Sequence, residues 1–145
     1  MKRILEQEQG SSLLEAAILM PVLLFALAGS VDFGHLFYLR MALSSAAAAG
    51  AAYGTQHPSD TAGMISAVQL DGSDVPNLTA AASYGCECAD GTLASAACTT
   101  VPTCPVNVIN YVDIQASYNY SPLIAFVGIP STFPLQERAR MRTAH

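Results

Sequence analysis

A single carboxyl group, that of Glu15, stands at the head of an otherwise apolar stretch from Ala16 to Val31. A charge in hydrocarbon costs about 2.5 to 3.5 kcal/mol on insertion scales, so an acidic residue kept there usually has a partner. The chemistry open to Glu15 is therefore electrostatic pairing with an amine. The alternative is that Glu15 lies in the headgroup region and its side chain reaches water.

Proteolysis after Gly10 would supply such an amine. The first ten residues are polar and include Lys2 and Arg3, and the apolar segment follows them. An ordinary secretory signal instead places its apolar segment before the cleavage point. Cutting after Gly10 would leave the apolar helix as an anchor and create an ammonium at Ser11, one helical turn from Glu15. A carboxylate in low dielectric is strongly stabilised by such a group, on its own chain or on a neighbouring subunit.

One long helix must position these residues. The apolar spacing near three and four predicts a helix over residues 11–54, with its membrane part at about 13–31 and residues 1–10 as a leader peptide. At 1.5 Å per residue the rod is roughly 60 Å long, twice the ~30 Å hydrocarbon core, so half of it projects. Pro21 lies inside the apolar half and predicts a bend. Asp32 and His35 are interpreted as interfacial residues that close the membrane segment.

Small residues recur every four positions in the projecting half, at Ala42, Ala46, Gly50 and Gly54. Such a ridge allows a second backbone to approach closely. The partner is either a sheet of the same chain or a helix of a neighbour, and both interpretations stay open.

Residues 55–145 are predicted to form an exported α+β domain. A short helix is expected from Ser59 or Asp60 to Leu70, and strands within residues 80–98, 112–120 and 133–142. The fold class is thus α+β: a long N-terminal helix followed by a small antiparallel sheet. The apolar segment 123–127 lies between the last two strands, where it either forms a contact surface or covers the sheet.

Four cysteines lie within nineteen positions of the exported part, at Cys86, Cys88, Cys98 and Cys104. In an oxidising compartment such a set predicts two disulfides, each contributing about 2 to 4 kcal/mol. Cys86 and Cys88 point to one face of a strand, so each can reach a different cysteine of the 98–104 loop. Two pairings remain, and a zinc site or free thiols are the alternative to disulfides.

The charge distribution argues against nucleic-acid binding. Between Arg40 and Arg138 there is no Lys or Arg, and nucleic acids require a cationic surface. Lys2 and Arg3 favour a cytoplasmic N-terminus. No metal or cofactor motif and no catalytic motif is present, and the three histidines are scattered, so an enzyme is not expected.

Several segments together resemble a known family. Gly10-Ser11-Ser12-Leu13-Leu14-Glu15 before the apolar helix is similar to the class III signal of type IV prepilins and pseudopilins. The continuation resembles TadE-like proteins. Ala16 and Ala52 depart from residues common in that family. The segments that carry the likeness are Glu15-Ala16-Ala17, Leu19-Met20-Pro21, Val31-Asp32-Phe33-Gly34, Phe37-Tyr38, Ala42-Leu43, Ala49-Gly50-Ala51-Ala52-Tyr53-Gly54, Ser121-Pro122-Leu123 and Met141-Arg142.

The resemblance implies a pseudopilin or minor pilin of a tight-adherence pilus system. Its implied partners are a prepilin peptidase, other pilin subunits with the assembly machinery, and the lipid bilayer. The implied location is the bacterial inner membrane, crossed once, with the C-terminal domain in the periplasm or outside the cell. The alternative is a signal-anchored periplasmic binding module that does not polymerise.

Overall fold

The computed structural model describes residues 2–92, 94–123, 128 and 130–143, and for residues 2–11 only the backbone. Two helices precede four strands: α1 (Lys2–Gln56), α2 (Thr61–Asp71), β1 (Thr79–Cys88), β2 (Ser95–Ala96), β3 (Val108–Tyr120) and β4 (Phe133–Arg142). The strands form one antiparallel sheet in the order β2-β1-β3-β4. The predicted α+β class, with a long apolar helix, a small antiparallel sheet and two disulfides, is confirmed.

Helix α1 begins nine residues before the start expected from the sequence. No proline lies between Lys2 and Gln9, and Ile, Leu, Glu and Gln are all compatible with a helix there. The helix ends at Gln56 because Pro58 disfavours helical backbone at His57. It continues on both sides of Pro21. A bend at that residue stays a prediction.

The projecting half of α1 packs on one face of the sheet together with α2. Its buried positions are Leu39, Leu43, Ala46, Ala47 and Ala51, the spacing of one helical face. They meet the inward side chains of β3 and the buried side of α2, namely Val112, Ile114, Ala116, Met64 and Val68. The small-residue ridge therefore serves packing within the chain, the first of the two interpretations above.

Helix α2 has the predicted cap. The side chain of Asp60 accepts a hydrogen bond from the backbone N–H of Gly63 at 2.9 Å and another from the Tyr53 hydroxyl at 2.8 Å. These bonds hold the pKa of the Asp60 carboxyl below its usual value. At the other end the Gly72 N–H makes the last helical hydrogen bond, to the Val68 carbonyl at 2.9 Å, and the helix ends at Asp71.

Gly50 lies at a close contact between the two helices. A Cβ at this position would lie 2.5 Å from Val68 Cγ2 and 3.1 Å from the Met64 carbonyl oxygen. Gly50→Ala is therefore expected to lower the free energy of unfolding by about 1 to 3 kcal/mol through overpacking. Urea unfolding of the protein in detergent, followed by circular dichroism, measures this change.

Gly34 provides the matched control on the same helix, since nothing lies within 4 Å of a Cβ built there. Gly34→Ala is expected to be neutral or to stabilise by up to about 1 kcal/mol, because alanine has the higher helix propensity. Equal destabilisation by both variants would contradict this account of the packing.

The cysteines form two disulfides at the end of the sheet farthest from the apolar half of α1. Cys86 pairs with Cys98, with Cα atoms 5.2 Å apart, and Cys88 pairs with Cys104, with Cα atoms 5.5 Å apart. Of the two pairings open from the sequence, the structure thus selects this one. The bonds attach the long β1–β3 connection to β1.

Candidate assembly helix and its junction with the sheet

The first half of α1 presents an apolar surface that no other part of the described chain covers. Each large apolar residue from Leu13 to Leu27 is more than half exposed. The helix contains an 18-residue window with mean hydropathy 2.1, none of it buried, and is long and apolar enough to cross a membrane. The Ser30 hydroxyl is satisfied within the helix, since it donates to the Ala26 carbonyl at 2.8 Å. Such a surface requires lipid or other apolar helices around it.

Glu15 lies on this surface and is exposed. It is the one acidic residue between Ser12 and Val31. Gly10 and Ser11 belong to the backbone of α1, one turn earlier. With a rise of 1.5 Å per residue, the Cα atoms of Ser11 and Glu15 are about 6 Å apart along the axis. Cleavage after Gly10 and the pairing of Glu15 with the resulting amine stay predictions.

Asp32 joins α1 to the sheet directly after the apolar run. Although it follows Val31, its carboxyl group is buried, with 8% of the residue exposed. Its Oδ1 accepts hydrogen bonds from the Tyr120 hydroxyl at 2.8 Å and from the Leu123 N–H at 2.9 Å. The Tyr120 hydroxyl also lies 3.2 Å from the Asp32 carbonyl oxygen. We call this group the Asp32 junction.

The Asp32 junction shows that Asp32 also contacts the sheet domain, and its position at the membrane interface stays a prediction. Its partners come from the end of β3, 88 and 91 positions later in the chain. His35, the other residue so interpreted, packs edge-on against the Tyr120 ring at 5.8 Å between centroids. An isolated acidic residue at the end of an apolar run, together with a tyrosine that ends a strand, is the sequence signal that could have suggested a contact.

The Asp32 junction changes how Tyr120 titrates. Burial, helped by the hydrogen bond to Asp32, raises the pKa of Tyr120 to about 12. The folded state favours the protonated phenol, so this contribution to stability is complete below pH ~10 and disappears as the pH rises through about 12.

We expect Tyr120→Phe to cost more stability at pH ~9 than at pH ~11.5, because the wild-type advantage fades as unfolded tyrosine ionises. Urea unfolding of both proteins at the two pH values measures the difference. The pKa values of Tyr38 and Tyr53 are also raised, by hydrogen bonds to Asp74 and Asp60, but these groups are the same in both proteins. A cost that does not change with pH would contradict the role given to Tyr120.

Two further contacts support the helix above the Asp32 junction. The Tyr38 hydroxyl donates to Asp74, and Arg40 Nε lies 2.6 Å from Glu137 Oε1 on β4. Tyr38 and Arg40 are both exposed, and surface pairs of this kind contribute little to stability. They fix the direction of α1 relative to the sheet more than they stabilise it.

The outer face of the sheet carries paired charges. Glu87 is buried, with 5% of the residue exposed, and accepts from both Arg140 and Arg142, the latter at 3.1 Å. The Arg140 guanidinium also lies 3.7 Å from the centre of the Tyr111 ring. Arg138 pairs with Asp113, whose carboxylate raises the pKa of the guanidinium further. Each of the three C-terminal arginines therefore has an acidic partner within the domain, with Glu87 shared by two of them.

Chemical sites other than these are few. Within residues 2–92, 94–123, 128 and 130–143, no group of three or more His, Cys, Asp or Glu side chains could hold a metal ion. The disulfides use Cys86, Cys88, Cys98 and Cys104, so the zinc alternative is not the arrangement found. His145 and the apolar segment 124–127 lie outside the described residues.

Comparison with known proteins gives one family match. Residues 10–52 match the family model described as TadE-like protein. The matched segment contains Gly10, Glu15, Asp32 and Gly50. No curated protein and no solved structure matches the chain at a significant level. The family is structural and not enzymatic, and the match together with the exposed apolar helix fits a pilin-like, membrane-anchored subunit.

Proposed function

We propose that this chain, TadE-like over residues 10–52, is a pseudopilin or minor pilin of a tight-adherence pilus system. A prepilin peptidase cuts it after Gly10, and the mature subunit then assembles through α1. The observation that carries the proposal is the exposed apolar part of α1, residues 12–31, whose one carboxyl group is that of Glu15, five residues after Gly10.

The exposed half of α1 supports assembly because it needs an apolar environment at every stage. Before assembly, the bilayer surrounds residues 13–31, which span about 28 Å at 1.5 Å per residue. After assembly, the corresponding helices of neighbouring subunits replace the lipid. The shallow groove beside Pro21, lined by Ala17, Met20, Leu24, Phe25 and Ala28, provides a place for a neighbouring helix.

Glu15 sets the axial position of one subunit against the next. Between apolar helices the effective dielectric constant is low, so an ion pair is stronger there than in water. A carboxylate without a partner in the same place is strongly unfavourable. The Ser11 amine of a neighbour therefore selects the one axial offset at which both charges are satisfied.

The two disulfides and the basic N-terminus support one orientation. Disulfides persist in oxidising compartments, so the sheet domain lies in the periplasm or outside the cell. Lys2 and Arg3 then stay on the cytoplasmic side of the inner membrane. The chain crosses that membrane once.

Fractionation of cells that make the tagged chain and its filament system tests the proposal. Shearing is expected to release the chain together with the major filament subunit, and a strain without the prepilin peptidase is expected to retain it in the membrane. If the filaments shear normally while all of the chain stays with the membrane of the wild-type strain, the chain is instead a signal-anchored periplasmic module.

A further inference from the structure

The end of the sheet that holds Tyr120 and Leu123 meets α1 where its apolar run stops. The Asp32 junction fixes the Leu123 backbone to Asp32, 2.9 Å from Oδ1. If residues 13–31 span the ~30 Å hydrocarbon core, Asp32 lies at the outer surface of the membrane. Leu123 is therefore held at the same height.

Leu123 is exposed there, with 67% of the residue accessible, and so is Phe33, with 76% accessible. Exposed apolar side chains that adjoin the apolar surface of a membrane helix extend that surface beyond the helix.

The segment around Leu123 carries no charged side chain. From Ile114 to Gln136 there is no Asp, Glu, Lys or Arg in 23 consecutive residues. The charged residues of the sheet lie in its middle, at Asp113, Glu137 and Arg138, or toward its opposite end, at Glu87, Arg140 and Arg142. A domain that rests on a bilayer avoids desolvating charges, and this distribution has that property.

We infer that the membrane-side end of the sheet rests on the bilayer, with Leu123 in the boundary between headgroups and acyl chains. The inference depends on membrane anchoring by α1 and not on filament assembly. Burial of Leu123 in lipid gives the domain a second attachment beside the helix. Two attachments restrict the rotation and tilt of the domain, and so present it to neighbours in one orientation.

Tryptophan fluorescence tests the inference, since the chain has no Trp of its own. Three single variants of the full chain are reconstituted in phosphatidylcholine vesicles with plain or brominated acyl chains. Leu123→Trp probes the contact, Leu23→Trp probes the middle of the apolar helix, and Val101→Trp probes the exposed loop at the disulfide end. Bromine quenches only the tryptophans that reach the acyl chains.

Leu123→Trp is expected to lose about half of its emission to brominated lipid, as fits a side chain at interfacial depth, while Val101→Trp loses almost none. The inference is overturned if brominated lipid quenches Leu123→Trp as little as it quenches Val101→Trp while Leu23→Trp is strongly quenched. Membrane anchoring by α1 would still hold in that case. Blue-shifted emission from Leu123→Trp without quenching means that protein covers the site, which also overturns the inference. Absence of quenching in Leu23→Trp overturns the anchor itself and the inference with it.

Discussion

Glu15→Leu is expected to remove the chain from sheared filaments while it still inserts into the membrane. Loss of the carboxyl group leaves the Ser11 amine of a neighbour without a partner between apolar helices. Breaking one side of a buried ion pair costs about 3 to 5 kcal/mol, and 3 kcal/mol corresponds to more than a hundredfold in an association constant. Immunoblots of sheared filaments and membranes, normalised to the total amount of chain, measure the incorporated fraction.

Two control variants separate charge from shape at this position. Glu15→Asp keeps a carboxyl group on a shorter side chain, so we expect partial incorporation. Glu15→Gln keeps the size and polarity but not the charge, so we expect a loss close to that of Glu15→Leu. Normal incorporation of Glu15→Leu would contradict the pairing, whatever the behaviour of the other two.

Asp32→Ala is expected to be the most destabilising of the substitutions considered within the folded domain. It removes the acceptor of a buried donor, the Tyr120 hydroxyl, and of a partly buried one, the Leu123 N–H. Each buried donor left without an acceptor costs about 1 to 3 kcal/mol, so we expect a total near 3 kcal/mol. Urea unfolding in detergent, followed by circular dichroism, measures the loss.

Asp74→Ala is the matched control, because Asp74 also accepts from a tyrosine but is exposed. We expect a change of about 0.5 kcal/mol or less. Asp32→Asn retains an oxygen at Oδ1 and is expected to recover part of the stability lost in Asp32→Ala. If Asp32→Ala and Asp74→Ala behave alike, the Asp32 junction does not hold the helix to the sheet.

Local patterns were sufficient for most of the secondary structure. The alternation of apolar residues with arginines predicted β4 at its observed bounds, 133–142, and the alternation over 112–120 lies within β3. The Asp60 cap and the Asp71-Gly72 stop placed α2 to within one residue at its C-terminus. These elements were predictable because both their periodicity and their ends depend on neighbours in the sequence.

Contacts between distant residues were not predictable in the same way. The burial of Glu87 depends on arginines 53 and 55 positions away, which reach it through the alignment of β1, β3 and β4. The choice of Cys86 with Cys98 over Cys104 depends on the path of the loop after β2. The contacts of Asp32 with Tyr120 and Leu123 could not be predicted because these partners lie far along the chain.

Part of the candidate assembly site could likewise be predicted from local sequence, and part could not. Glu15, Gly10 and the apolar run are adjacent in sequence, so their relation could be deduced from spacing on one helix. The partner proposed for Glu15 is created by proteolysis and belongs to the assembled state. Whether this partner exists therefore depends first on cleavage after Gly10, and only then on how the assembled helices are arranged.

The intact mass of the chain recovered from cells tests this chemistry most directly. We expect a mature protein that begins at Ser11 and lacks residues 1–10. In cells without a prepilin peptidase, we expect a chain that still carries these residues. A mature chain that still carries Lys2 through Gly10 in cells with an active peptidase would contradict this expectation, because the amine that Glu15 requires would never form.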